Sequence, residues 1–83
     1  MSTKITVFVY LHSTLVKFSP DGQTRKFELK SPQNSTLGDL ITKLGIDPND
    51  EHLLLAVNGK VAEEDQILEN QDHVHLMMPI SGG

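Results

Sequence analysis

The sequence predicts an α+β domain in which a mixed sheet of four to five strands packs on one helix. Three observations predict it: several short segments alternate apolar and polar residues, one segment repeats apolar residues at helical spacing, and Gly, Pro and Asn separate the segments. With 83 residues, 37% of them hydrophobic, the chain has room for one small core. We therefore expect a single domain over residues 1–79 and a flexible C-terminal tail over residues 80–83.

Two strands are predicted before the helix. Residues 4–11 alternate and predict the first strand. Residues 24–30 alternate again with charged side chains on one face, which is typical of a strand at or near a sheet edge. Residues 12–23 are expected to form a loop that turns at Pro20 to Gly22 and joins the two strands as a hairpin-like pair. The inward positions of these strands are Ile5, Val7, Val9, Leu11, Phe27 and Leu29.

The helix is predicted by its ends and by its apolar face. Asn34 to Thr36 offer capping side chains, and Asp39 lies three residues after Thr36, where exposed amides favour a carboxylate. Gly45 supplies a stop. A helix of roughly nine residues does not persist alone, so we expect it to dock on the sheet. Its inward positions are Leu37, Leu40, Ile41 and Leu44.

Three shorter strands are predicted after the helix. Residues 53–57 are almost continuously apolar, and Asn58-Gly59 is a strong hairpin signal that leads into residues 60–62. Residues 73–78 form the last strand, and Pro79 ends it. One helix placed between two hairpins is the β-grasp arrangement, in which a mixed sheet wraps around the helix.

Composition excludes several classes of function. The chain has 7 Lys and Arg against 11 Asp and Glu, a net charge of −4, so we expect neither nucleic acid nor a membrane surface as a partner. It has no Cys, which removes disulfides and thiolate chemistry and fits a cytoplasmic protein. No apolar run approaches the ~20 residues that cross a bilayer. His73 and His75 share a strand face, but no further ligand has suitable spacing, so no metal site is expected.

Five short segments follow one another along the chain in an order that can be compared with known families. They are Lys4-Ile5-Thr6-Val7, Ser35-Thr36-Leu37-Gly38-Asp39-Leu40, Val57-Asn58-Gly59-Lys60, Asn70-Gln71-Asp72-His73-Val74 and Met78-Pro79-Ile80-Ser81-Gly82-Gly83. In this order the segments resemble the sulfur-carrier proteins of the ThiS/MoaD type, which are ubiquitin-like β-grasp domains that end in a diglycine. The resemblance covers almost the whole chain, and the long first loop is closer to the molybdopterin synthase small subunit than to the thiamin-type carriers.

The resemblance implies that the reactive group is the carboxylate of Gly83, with Gly82 beside it. An adenylating enzyme of the ThiF/MoeB type would activate this carboxylate with ATP, and a sulfur donor would convert it to a thiocarboxylate. The sulfur would then pass to an acceptor such as the catalytic subunit of molybdopterin synthase, for the molybdenum or tungsten cofactor. The chain itself would bind no cofactor and would not be an enzyme. Glycine suits the role because it lacks a Cβ and can pass through a narrow channel.

The outer face of the sheet is the second predicted site. Phe8 and Tyr10 point away from the predicted core, as do His75 and Met77 on the last strand. If the first and last strands are neighbours, these four residues form one apolar patch for partner binding. Pro79 would aim the tail, and with Ile80 it completes the predicted partner-binding set. Four extended residues reach roughly 13 Å, which is far enough to enter a partner's active site.

Three alternatives remain open from the sequence. The carrier could serve thiamin thiazole synthesis or another sulfur-transfer pathway. The same activated glycine could instead be attached to lysines of other proteins, as in a ubiquitin-like modifier. The chain could also be a plain protein-interaction domain with no activated end.

Overall fold

The computed structural model describes residues 3–47 and 53–78 of the chain. Its elements follow the predicted order, with a short 3₁₀ helix added after the first strand. The predicted tail, residues 80–83, lies outside the described residues. The elements are β1 (Lys4–Leu11), the 3₁₀ helix (Ser13–Phe18), β2 (Lys26–Pro32), α1 (Leu37–Lys43), β3 (Leu54–Val57), β4 (Lys60–Val61) and β5 (His73–Met77).

The strands form one mixed sheet of five strands in the order β2-β1-β5-β3-β4. β1 pairs antiparallel with β2 and parallel with β5, and β3 pairs antiparallel with both β5 and β4. This confirms the predicted fold class, and the sheet has five strands, the larger of the two predicted numbers. β2 lies at an edge of the sheet, as predicted. The first and last strands lie side by side at the centre of the sheet.

The core lies on one face of the sheet, beneath α1 and the 3₁₀ helix. The inward residues of β1 and β5 alternate with residues of the opposite face, as the period of two requires. Leu15 of the 3₁₀ helix adds an apolar side chain that is 1% exposed. The most deeply buried side chains are Val7, Val9, Leu11, Leu15, Leu37, Leu40, Ile41, Leu68, Val74 and Leu76.

α1 begins at a reciprocal capping box, which confirms the predicted start. The Thr36 hydroxyl accepts from the Asp39 amide at 3.2 Å, and the Asp39 carboxylate accepts from the Thr36 amide at 3.0 Å. The helix has seven residues where the sequence suggested about nine, because Leu44 is already the C-cap. Gly45 follows at φ +85°, the left-handed conformation that ends a helix.

The segment 12–23 differs from the predicted simple loop. It contains the 3₁₀ helix, which buries the side chain of Leu15 in the core. This burial explains why apolar residues interrupt an otherwise polar stretch of the sequence. The turn that follows is built around Asp21, whose carboxylate accepts from the amides of Gln23 at 2.9 Å and Thr24 at 2.8 Å. These bonds and the Thr24 hydroxyl hold the pKa of the Asp21 carboxyl well below its usual range.

The boundaries of the remaining strands shift slightly. β2 begins at Lys26 instead of residue 24, because the Asp21 turn uses the Gln23 and Thr24 amides. Phe27 and Leu29 do point inward but are only half-buried, as expected on an edge strand. β3 starts one residue later than predicted, and β4 and β5 each end one residue earlier.

Candidate functional site

The outer face of the sheet is the side opposite the core, and it holds the four predicted surface residues. The parallel pairing of β1 with β5 sets Tyr10 beside His75 and Phe8 beside His73. Met77 lies further along the same face of β5. Phe8, Tyr10, His75 and Met77 are all half-buried, so the predicted convergence on one face is present in the structure.

Five aromatic rings stack along this face, and we call them the ring stack: Phe8, His73, Tyr10, His75 and His12. The successive ring centroids are 4.9, 5.8, 4.3 and 5.2 Å apart. The Tyr10 and His75 rings are nearly parallel, with 2° between their planes. These spacings lie within the range in which aromatic rings attract each other beyond simple burial. The stack is therefore a fixed surface feature and not a scatter of single side chains.

Two hydrogen bonds tie the rings together. The Tyr10 Oη and the His73 Nδ1 are 2.8 Å apart, and the His12 Nε2 and the His75 Nδ1 are 3.0 Å apart. In the bond between the two imidazoles one nitrogen must carry a hydrogen and the other must be bare. The protonation state of the stack is therefore coupled to its geometry.

The electrostatic environment favours the neutral form of His75 at the centre of the stack. The pKa of His75 is lowered, first by burial, and then by the charges of His12 and His73 in their protonated forms. Lys26, on β2, places its ammonium group 5.3 Å from the centroid of the Tyr10 ring.

The network around Asn58 positions His73 at the start of β5. Asn58 adopts φ +53° in the β3–β4 turn, followed by Gly59 at +82°, as the predicted two-residue hairpin requires. Its carboxamide oxygen accepts from the His73 amide at 2.9 Å, and its amide nitrogen donates to the Asp72 carboxylate at 2.8 Å. The Asp72 carboxylate also accepts from the Glu69 amide at 2.7 Å. The hairpin is thus bonded directly to the strand that carries two rings of the stack.

An apolar area extends the outer face beyond the ring stack. Ala56 lies beside His75 and Leu54 beside Met77, and Val61 of β4 lies beside Ala56. Leu54 is 42% exposed and Val61 is 77% exposed. Together with Met77 these residues extend the apolar surface to the β4 edge of the sheet, where it is exposed to solvent.

The opposite border of the outer face is positively charged. Lys4 of β1 and Lys26 and Lys30 of β2 occupy outward strand positions, and among the strand residues of this face only Glu28 is acidic. The chain as a whole has a net charge of −4. The outer face therefore combines an apolar centre with a basic border on a protein that is otherwise acidic.

Sequence reasoning missed part of this site. The sequence places His12 in a loop and suggests only a metal-ligand role for His73, although both stack on predicted site residues. It also gives no sign that Leu54 and Val61 are more than strand residues. The signal for His12 was present, since it continues the even-numbered outward positions of β1, but its contact depends on the register of β5.

The described residues hold neither a metal-ligand cluster nor a membrane-spanning helix. No group of three or more His, Cys, Asp or Glu side chains in residues 3–47 and 53–78 is arranged to hold a metal ion. In the same part of the chain no helix has the length and apolar character needed to cross a membrane.

The remaining predicted site residues, Pro79, Ile80, Gly82 and Gly83, lie outside the described residues. The roles assigned to them stay predictions. β5, the last described strand, ends two residues before Pro79.

The five-stranded mixed sheet packed on one helix is a ubiquitin-like β-grasp fold. Residues 19–83 match the ThiS family, so the chain belongs to that family. The match includes the two final glycines. No curated protein sequence matches the chain significantly.

Solved structures of similar fold include, by name, small archaeal modifier proteins and molybdopterin converting factor subunits. The small archaeal modifier protein 1 of Haloferax volcanii has a TM-score of 0.73 and 19% identity, covering 92% of this chain and 99% of its own. A putative molybdopterin converting factor subunit 1 from Pyrococcus furiosus has a TM-score of 0.73 and 18% identity, with coverage of 92% and 99%. Subunit 1 in the complex of molybdopterin-converting factor subunits 1 and 2 from Helicobacter pylori has a TM-score of 0.62 and 18% identity, with coverage of 95% and 100%. These similarities establish the shared fold.

Proposed function

We propose that this protein is a sulfur carrier whose Gly83 carboxylate is converted to a thiocarboxylate. The observation that carries the proposal is the ThiS family match, which runs through Gly82 and Gly83. A carrier of this kind needs no catalytic pocket of its own, because partner enzymes perform the chemistry on its chain end. The absence of Cys in the sequence is compatible with this role, since the transferred sulfur is external to the chain.

The chemistry requires activation because a carboxylate is a poor acyl donor. The Gly83 carboxylate oxygen would attack the α-phosphorus of ATP, releasing pyrophosphate and leaving an acyl-adenylate. A sulfur nucleophile supplied by a donor would then attack the carbonyl carbon, and AMP would leave. When the nucleophile is a persulfide on the donor, the attack gives an acyl disulfide. A thiol reductant then attacks the donor sulfur of its S–S bond, which leaves the sulfur on Gly83 as the thiocarboxylate and the donor in a disulfide with the reductant. The ATP belongs to an adenylating partner of the ThiF/MoeB type, and we place the reaction in the cytoplasm, where ATP is supplied.

The outer face is the proposed docking surface for these partners. Its apolar centre and basic border fit a partner surface that presents an apolar patch beside acidic groups. The complex named for the Helicobacter pylori protein joins subunit 1 to subunit 2, which supports a catalytic subunit as one such partner. Molybdopterin synthesis is accordingly the proposed pathway, and thiamin thiazole synthesis is the alternative carrier role.

Reconstitution with the cognate adenylating enzyme, ATP and a sulfur donor tests the carrier function. Intact-mass spectrometry should record the exchange of one oxygen for sulfur at the chain end. Deletion of Gly83, or addition of one residue after it, should abolish the product because the reacting carboxylate is displaced. Unchanged product from either variant would contradict the assignment of Gly83. Pyrophosphate exchange that stays silent with the wild-type protein would favour a plain interaction domain.

Docking is tested by charging the apolar part of the outer face. Val61→Asp places a carboxylate at a position that is 77% exposed, so the fold should tolerate it while partner affinity falls by at least about tenfold. Thr42→Asp is the control, because Thr42 is exposed on α1, which packs on the side of the sheet opposite the outer face. Equal affinities of the two variants, measured by calorimetry, would remove the outer face from partner binding.

Attachment to proteins is the second candidate function, and the similarity to small archaeal modifier proteins favours it. In that reaction a lysine amine, and not a sulfur donor, would attack the acyl-adenylate or an intermediate derived from it. Cellular proteins would then carry Gly-Gly remnants in isopeptide linkage after digestion, and their detection would support the modifier role alongside or in place of sulfur transfer.

A further inference from the structure

The ring stack contains three of the chain's four histidines, and they occupy the middle of the proposed docking surface. β5 is the third of five strands in the sheet order, so His75 has neighbouring strands on both sides. A partner that covers the outer face would therefore cover His75 near the centre of the contact. The fourth histidine, His52, lies outside the described residues.

We propose that docking on the outer face is linked to protons: the partner binds the stack with His75 neutral, and protonation of His75 weakens the complex. The proposal rests on the proposed docking function and adds its regulation. It follows from the position of His75 in the face and from the groups that surround it, with His12 Nε2 at 3.0 Å among them.

The bond between the two imidazoles tolerates one added proton but not two. The His12 Nε2 and the His75 Nδ1 are 3.0 Å apart, which requires one donor and one acceptor. One imidazolium can still donate to a neutral partner ring. When both rings are protonated, two N–H groups and two positive charges face each other, so the bond is lost and the rings must separate.

Among residues 3–47 and 53–78, no carboxylate faces His75 to stabilise its charged form. The facing titratable groups are Tyr10 on β1, His12 just after β1 and His73 on its own strand, and Lys26 of β2 lies over Tyr10. The neighbouring position on β3 is Ala56. The pKa of His75 is accordingly lowered in the free protein, with burial as the first cause.

Partner binding would bury His75 further, and desolvation disfavours the charged imidazolium. The pKa of His75 therefore falls again in the complex, and binding releases protons whenever the free protein holds one there. Between the pKa of His75 in the complex and its pKa in the free protein, affinity weakens by at most about tenfold for each unit by which the pH falls. Above and below this interval, affinity is constant.

The test combines nuclear magnetic resonance with calorimetry. A pH titration of the free protein gives the pKa of His75, which should lie below 6.5. Binding to the cognate catalytic subunit is then measured at that pH in two buffers of different ionisation enthalpy. Release of about half a proton per complex is expected there, because half of the free molecules are protonated at His75.

His75→Phe is the diagnostic variant because it keeps a ring between Tyr10 and His12 and removes the titrating nitrogen. It should lose the proton release at low pH, and this readout is independent of any change in its affinity. Wild-type binding with no proton release, proton uptake in place of release, or the same release by His75→Phe would overturn the proton linkage while leaving docking intact. No binding by the wild type at pH 8 would overturn docking and the linkage together.

Discussion

At the scale of single residues, the ring stack exists only because neighbouring strands bring its side chains together. His12, Tyr10 and His75 come from distant parts of the sequence, and only the β1–β5 pairing brings their rings within stacking distance. The same contacts bury His75 enough to lower its pKa, with the neighbouring histidines adding to the shift. Its neutral form is therefore stabilised by the folded state.

This lowered pKa predicts how stability depends on pH. The unfolded chain takes up a proton at His75 near the ordinary pKa of 6.5, before the folded chain does. The free energy of unfolding should therefore fall as the pH drops from 6.5 to the folded pKa of His75, and this contribution should then level off. The slope from this residue stays below about 1.4 kcal/mol per pH unit.

Urea unfolding at a series of pH values between 8 and 5 measures the effect. The His75→Phe variant should show a shallower fall over the same interval, whereas carboxylates such as Asp21 contribute only in more acidic solution, as the pH falls below 3.8. Identical pH profiles for wild type and variant would contradict the contribution of His75.

At the scale of elements, the β3–β4 hairpin acts as a support for the central strand. Asn58 takes the left-handed conformation that the turn needs, and its side chain bonds to both Asp72 and the His73 amide. Asp72 is 7% exposed, so its carboxylate depends on these internal donors. A turn residue thus fixes the start of the strand that carries the docking surface.

Replacement of this turn residue by its acid tests that support. Asn58→Asp removes the donor to Asp72 and sets two carboxylates together, and it should lower the free energy of unfolding at pH 7 by about 2 kcal/mol. Urea unfolding of the wild type and the variant at pH 7 measures this difference.

Asn34→Asp serves as the control because Asn34 is also left-handed, at φ +70°, and is exposed. It makes the same chemical change away from Asp72 and should alter stability by less than about 0.5 kcal/mol. If the two variants were destabilised equally, the bond to Asp72 would not be the cause.

At the scale of the whole molecule, the sequence predicted the architecture well because its local signals agree with each other. The alternation in residues 4–11, the Thr36 and Asp39 cap and the Asn58-Gly59 turn each specify one element, and all three are found in the structure. The 3₁₀ helix was missed because its burial depends on Leu15 reaching a core that other elements build.

The outer face was predicted in outline and not in detail, for a physical reason. Period-two alternation shows which residues point outward, so Phe8, Tyr10, His75 and Met77 were identifiable. Alternation carries no information on the register between β1 and β5, and that register decides that His12 meets His75. The charged outward positions of β2 were identifiable from its alternation, and its predicted pairing with β1 sets them on the border of the same face.

The central claim, that Gly83 carries sulfur, has a direct test that uses the composition of the chain. Because the sequence contains no Cys, a thiol-alkylating reagent has only an added sulfur at which to react rapidly at neutral pH. Protein purified from its native cells and treated with such a reagent should gain one alkyl group, located at Gly83 by fragment mass spectrometry. Protein that remains wholly unalkylated, with an unmodified glycine carboxylate throughout sulfur-replete growth, would contradict the account.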